Sequence, residues 1–491
     1  MTIVAGGNGL NPEHIFNITA TNMGCCDDGL SMMRLWFAVW MARLAGFFSR
    51  LSGRGGSSLP GVVARKLDPQ VLSKLVTRLP QGTILVTGTN GKTTTAALTA
   101  FLLRNQGYRL VHNRAGANLI LGLTATVVQA EKWHLFPRAD MALLETDEAS
   151  MPRASQETHP RAIAVTNFFR DQLDRYGELS TTVDMVQRAI LQMDNGGQLI
   201  LNADDPQVAY VGQGYPHVVY FGLDLEKSIR LARFQDTLDA RFCPRCGEPL
   251  NYRMRYYAHL GDYYCIGCGW QRPTPDWIVT GWNKEQNIIA VDHKEHRVRL
   301  PITMPGIYNV YNLVAAVALA AQLGVEPSTM GESLSHFEPA FGRMESVVMR
   351  GHQVWLALVK NPVGFTQVLE AVADDTNQQK WALVIINDRY ADGTDVSWLW
   401  DVDFEALAPT LRLEQWWVSG IRAYDMAVRL KYAGIADERV HVVRDPSAAL
   451  EQMINQSPSE VSVWVMPTYT ALLEVRQHLT QHHFTRHFRE G

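Results

Sequence analysis

The stretch "GTILVTGTNGKTTTAALTAFLL" (82–103) constrains this chain more than any other. An apolar run near Thr83–Thr87 reads as a buried strand, and an amphipathic helix starts near Lys92. Between them lies "TGTNGKTT". A helix N-terminus set behind a glycine turn presents unpaired N–H groups and the positive end of its dipole to an anion. Lys92 adds a point charge for the β/γ-phosphates, and the hydroxyl of Thr93 or Thr94 can reach Mg²⁺. Val86 occupies the first glycine position of the longer G-x-x-x-x-G-K-[ST] pattern, which leaves the shorter T-G-T-N-G-K-T form. In a strand–turn–helix context this predicts ATP bound on Thr89, Asn90, Gly91, Lys92, Thr93 and Thr94.

Further apolar runs alternate with helical patterns: "LVHN", "MALLETD", "RAIAVTN", "GQLILNADD" and "HVVYFG". The fold class this predicts is α/β, a doubly wound parallel sheet. Several runs end in polar residues on the same edge as the phosphate loop: Asn113, Glu145 with Asp147 and Glu148, Asn167, and Asn202 with Asp204. Carboxylates there would hold Mg²⁺. For Asp204 and Asp205, ahead of Pro206, a helix cap is the preferred reading. With 491 residues there is room for two or three domains, and a net charge of −4 leaves no electrostatic footprint for nucleic acid.

Four of the six cysteines fall in "CPRCGEPL" and "YYCIGCGW", two C-x₂-C pairs with 18 residues between them. Thiolates two apart on a tight turn converge on one ion, so Cys243, Cys246, Cys265 and Cys268 predict a closed Zn²⁺ site in a ribbon inserted at about 240–272. A closed site is structural. Nucleic-acid binding by this knuckle is a weaker alternative. Few scattered cysteines also fit a reducing, cytoplasmic compartment.

At the N-terminus, "LWFAVWMARLAGFF" (35–48) is too short and too interrupted by Arg43 to span a bilayer. Arg43, Arg50 and Arg54 share one helical face, which suits a helix on the inner membrane surface or one docked on the core. Residues 1–30 show no periodicity and read as disordered, and "SGRGGSSLPG" (52–61) reads as a flexible linker. The expected domains are therefore a tail to 60, an ATP-binding unit over 61–304, and a second α/β unit over 305–491. The second unit shows strands near "VWLALVKN", "WALVIIND", "LEQWWVSG", "VHVVRD" and "SVWVMPT".

After "WALVII" comes "NDRYADGTDVSWLWD" (387–401), with Asp388, Asp392, Asp395 and Asp401 in a glycine-punctuated loop. A polar loop at the end of a parallel strand is where α/β proteins place chemistry. Spacing does not say which of these carboxylates faces outward.

Taken together, "TGTNGKTT", "NRAGANL", "ETDEA", "TNFFRDQLDRYGE", "LNADDP" and "YNVYNLVAAVA" resemble the Mur ligase superfamily over roughly 60–491. The mid-chain cysteine insert, "KNPVGFTQVL" and "ADGTDVSWLWDVDFE" are similar to its MurT branch, the synthetase subunits of lipid II isoglutaminyl synthase. The resemblance implies a P-loop central domain with a parallel sheet and a C-terminal Rossmann-like domain. It implies an acyl phosphate made from ATP and then attacked by an amine. It makes Glu145 a Mg²⁺ ligand beside Thr93, sets Asn309 and Asn312 by the adenine, and sets Arg343 near the ribose. The substrate would be the α-carboxylate of D-glutamate in lipid II.

Two departures stand out. Asp171-Gln172-Leu173-Asp174 lacks the histidine usual in Mur ligases, and no lysine lies between 174 and 197, where a carbamylated lysine often sits. An amidating ligase also needs ammonia, which glutaminases release with a Cys–His–acid set. The cysteines of this chain do not supply one. The resemblance implies a GatD-like class I glutaminase partner, with Asp395, or next Asp392, completing its catalytic set. The competing readings are a stand-alone Mur-type or folylpolyglutamate-type amino-acid ligase and a nucleotide-regulated scaffold.

Overall fold

The computed structural model describes residues 24–51, 58–113, 117–130, 138–170, 179–194, 196–225, 239–338 and 343–484, except 376, 378, 459 and 483. Two sheets organise these residues. The first holds β1 (Thr83–Thr87), β2 (Leu110–His112), β3 (Met141–Glu145), β4 (Ala162–Val165), β5 (Gln198–Asn202) and β6 (Val218–Leu223). A separate hairpin, β7 (Asn251–Tyr257) and β8 (Leu260–Tyr264), follows, and β9 (Trp277–Asn283), β10 (Ile288–His293) and β11 (His296–Pro301) return to the first sheet. Its order is β11-β10-β9-β6-β5-β4-β1-β3-β2.

The stretch from β2 to β9 is parallel, as the alternating pattern requires, and β1 and β3 are buried at every position. Strands buried on both faces read as continuous apolar runs, which is why β1 appears in the sequence at its observed limits. The antiparallel meander β9–β11 departs from the expected all-parallel sheet. Its strands alternate buried with half-exposed residues because only one face is covered, and the run of basic residues in "HRVRLP" hides the pattern.

The second sheet comprises β12 (Arg343–Met349), β13 (His352–Ala357), β14 (Lys380–Ile385), β15 (Leu413–Ser419), β16 (Val440–Val442) and β17 (Ser462–Pro467), in the order β12-β13-β17-β14-β15-β16. Only the β12–β13 pair is antiparallel, at the edge. The five expected strands are present, and β12 is an additional one.

Three boundaries move. Helix Ile307–Gln322, expected in the second unit, is buried in the core of the first sheet with helix Pro327–Leu334. Its run of alanines and valines is apolar all round, which suits burial between the phosphate-loop helix and the sheet. The N-terminal helix runs Gly24–Leu51, so residues 24–30 are helical rather than disordered; residues 1–23 lie outside the described set. Helix Leu59–Leu67 begins inside the expected linker, with Pro60 fitting its first turn. There Gly61 meets helix Ile120–Ala130 so closely that a Cβ would lie 1.9 Å from the carbonyl oxygen of Leu121.

Candidate functional site

The phosphate loop leaves β1 at Thr87 and enters helix Lys92–Asn105 through Gly91, which caps the helix in a left-handed conformation (φ 85°). Only glycine takes that conformation readily, and a Cβ there would come 2.0 Å from Asn312 Oδ1. The loop is stitched to the end of β4. Thr89 N–H donates to Asn167 O (2.9 Å), Asn90 N–H donates to Asn167 Oδ1 (2.9 Å), and Phe169 N–H donates to Thr89 Oγ1 (3.0 Å). Asn167 therefore fixes the loop's shape from a neighbouring strand.

Lys92 is 7% exposed. Its ammonium donates to Gly88 O (2.5 Å) and to both oxygens of Glu148 (3.2 Å each). Burial pushes the Glu148 carboxyl up, while Lys92 and, more weakly, Lys360 pull it down. Glu145 ends β3 and is buried; Asn113 grips its main chain in both directions, at 2.8 and 2.7 Å. Of the three acids expected at this strand end, the structure sets Glu148 against Lys92, uses Asp147 to cap the following turn and leaves Glu145 on the strand. Thr93 is partly buried in the first helical turn.

Across from the loop, a cleft of about 640 Å³ opens between the two units, lined by Asn90, Gly91, Thr94, Asn309 and Asn312 from the first and Lys360 and Gln367 from the second. Asn361 Nδ2 donates to Asn90 Oδ1 across the same gap (3.1 Å). Asn309 and Asn312, assigned to the adenine by the resemblance, line this cleft, and Asn312 lies against Gly91. Lys360, Asn361 and Gln367 belong to "KNPVGFTQVL", but nothing in a single sequence says that this segment faces Asn90. Arg343 opens β12, and its side chain lies outside the described residues, as do Asp171, Gln172 and Asp174.

The acid loop follows β14. Asp388 pairs with Arg422 (2.7 Å), and Asp392 is buried, accepting from Thr470 N–H (2.7 Å) and from its hydroxyl. Asp395 is exposed and folded into a turn by Ser397, whose N–H and hydroxyl both donate to it (2.8 Å each). The Tyr469 phenol is raised by burial first, then by the carboxylates of Asp392 and Glu145.

The cysteines converge. Sγ of Cys243, Cys246, Cys265 and Cys268 all lie within 4.8 Å of one another, with 243–268 at 3.7 Å and 246–265 at 3.5 Å. Tetrahedral thiolates at ordinary Zn–S distances stand about 3.8 Å apart, so the set fits a four-coordinate metal. Asp204 and Asp205 divide their roles. Asp205 caps the helix that follows, accepting from Gln207 and Val208. Asp204, expected as a cap, instead anchors the segment after the ribbon: Arg272 lies 2.6 Å away, the Tyr311 hydroxyl donates to it (2.5 Å), and Leu223 N–H donates as well (2.9 Å).

Residues 86–247 match the family described as Mur ligase middle domain, and residues 358–472 match MurT ligase C-terminal. Among curated relatives, the lipid II isoglutaminyl synthase (glutamine-hydrolyzing) subunit MurT of Staphylococcus aureus is 32% identical over 91% of this chain and 98% of its own length. The Streptococcus pneumoniae protein of the same name is 35% identical over 89% of this chain and 95% of its length. Solved structures share the fold at lower identity. A pseudomurein peptide ligase from Methanothermus fervidus has a TM-score of 0.64 at 20% identity, covering 82% of this chain and 79% of that one. The Thermotoga maritima MurF ligase, solved with ADP, has 0.60 at 13% identity, covering 85% and 84%.

Proposed function

The chain belongs to the MurT family of Mur-type ligases, and on that premise we propose that it amidates the α-carboxylate of D-glutamate in the stem peptide of lipid II, giving D-isoglutamine. Like the lipid II isoglutaminyl synthase subunits to which it is similar, it is an ATP-dependent ligase of peptidoglycan synthesis. The observation that carries the reaction is the buried Lys92, pinned beside Glu148 at the helix N-terminus, in a loop whose Asn90 meets Asn361 across a cleft that Lys360 also lines.

The N–H groups of Gly91–Thr94 and the Lys92 ammonium hold the triphosphate of ATP and offset charge as the γ-phosphoryl moves to a carboxylate oxygen. ADP leaves and an acyl phosphate forms. Ammonia attacks the acyl carbon, phosphate departs, and a proton passes to solvent. The Thr93 hydroxyl and Glu145 would hold Mg²⁺, which would supply charge neutralisation for the phosphates. The four-cysteine cluster would hold Zn²⁺ in a closed, structural site.

Ammonia comes from a separate glutaminase, a GatD-like class I subunit. Four cysteines of this chain form the cluster, and Cys25 and Cys26 sit in a helix rather than on a strand–turn–helix elbow. Asp392 is committed to Thr470, so Asp395, exposed at the rim of the same loop, is the acid offered to the partner's catalytic histidine. A stand-alone amino-acid ligase is disfavoured, because the relatives are named as subunits of a glutamine-hydrolyzing synthase.

The enzyme works at the inner membrane face, where a lipid-borne substrate resides. Among the described residues no helix is long and apolar enough to cross a membrane. Helix Gly24–Leu51 buries Leu35, Ala38, Val39 and Ala42 on the protein and exposes Met33, Trp36, Phe37, Trp40, Phe47 and Phe48. Aromatic side chains with nearby arginines favour the bilayer interface.

The test is amidation of lipid II by the purified chain with ATP and Mg²⁺, followed by mass spectrometry. Carboxamide formed with ammonium but not with glutamine, and with glutamine only after a glutaminase is added, is the expected result. No carboxamide at high ammonium would overturn the reading.

A further inference from the structure

The cysteine hairpin reaches into the nucleotide cleft. Its open end carries the four cysteines, and its far end, seven strand residues away, turns at Ala258–His259. That tip is not solvated: Tyr257 is 3% exposed, and His259 and Leu260 are fully buried. The Tyr257 ring lies 5.8 Å from Phe169 and 5.6 Å from Tyr311. The His259 ring lies 4.8 Å from Phe169, and its Nε2 is 3.3 Å from Asp205 Oδ2, the oxygen that accepts the Phe168 N–H. The tip is therefore wedged behind the segment that shapes the phosphate loop through Thr89. It is also held from below, since Gly261 N–H donates to Asp204 O (2.9 Å).

Tyr257 also lines the cleft, together with Gly91, Asn309, Asn312, Val363 and Gln367. Phosphates are served by the helix N-terminus and Lys92. Besides Lys360, the cleft offers amide groups beside apolar and aromatic walls, a lining suited to a flat heteroaromatic ring with hydrogen-bonding edges. We propose that Tyr257, delivered by the cysteine ribbon, is a contact for the nucleotide base. The ribbon is then one wall of the ATP site as well as a structural staple. This rests on the ATP reading of the phosphate loop, and inorganic triphosphate probes that loop on its own.

The experiment is calorimetric titration of the full-length, metal-loaded chain with Mg·ATP and, separately, with Mg·triphosphate. Base–aromatic contacts of this kind change affinity by about tenfold. Tyr257→Leu, which keeps apolar bulk without a ring, should weaken ATP about tenfold and leave triphosphate within about twofold. Tyr257→Phe should keep ATP within about twofold. An unchanged ATP affinity in Tyr257→Leu overturns the inference, as does an equal loss for both ligands, which would mark the residue as packing only. A wild-type chain that binds neither ligand would defeat the ATP reading instead.

Discussion

Two polar loops end parallel strands in this molecule, one after β1 and one after β14, and they are built on opposite plans. The phosphate loop closes on itself: its glycines, its lysine and its helix are consecutive, and Asn167 merely braces them. In the acid loop two carboxylates are engaged by residues outside the loop. Asp388 holds Arg422 and Asp392 holds Thr470, while Asp395 stands at the surface with only its own turn to hold. One loop is complete as an anion site within a single chain. The other presents an exposed acid, Asp395, whose hydrogen bonds among the described residues come from Ser397 in its own turn.

The sharpest way to break that contrast is Asp395→Asn. Glutamine-driven amidation in the two-subunit enzyme should fall by up to about 10⁴-fold, the scale of losing the acid that orients a catalytic histidine. Ammonium-driven amidation by the same variant should stay at the wild-type rate. A parallel loss of both would make the acid loop part of the synthetase site. Lys92→Ala should do the reverse, cutting amidation by about 10²–10³ with either nitrogen source, measured as ADP release and as carboxamide.

Asp392→Ala removes the acceptor of the partly buried Thr470 N–H and should cost about 1–3 kcal/mol in urea unfolding, lowering both activities together. Arg422→Ala loses a partly exposed pair with Asp388 and should shift stability by no more than about 1 kcal/mol. If Asp392→Ala behaved like Asp395→Asn, the assignment of the outward acid would be wrong.

The same contrast explains what could be read in advance. β1 and the start of the helix at Lys92 lie where the residues predict them, because strand, glycine turn and helix are local and every residue agrees. The convergence of the four cysteines was equally local in its spacing. Glu148 was harder: it and Glu145 stand three apart at one strand end, and only the path after β3 decides which meets Lys92. Asp204 looked like a cap because its partners, Arg272 and Tyr311, are distant in sequence. Helix Ile307–Gln322 was given to the second unit because its apolar surface fits either core, and contacts made far along the chain assign it to the first. For the acids of 387–401, the missing information was orientation, which depends on Thr470 more than 70 residues away.

The wedged hairpin tip also sets an order of events during folding. Asp204 is fully buried, and burial raises its carboxyl, so it needs Arg272 and Tyr311 beside it before the core can close. Arg272 follows the second cysteine pair, so it reaches Asp204 only once the hairpin has turned back on itself. A metal held by the four cysteines would favour that closed hairpin, so a chain stripped of metal should unfold at lower urea than the metal-loaded chain.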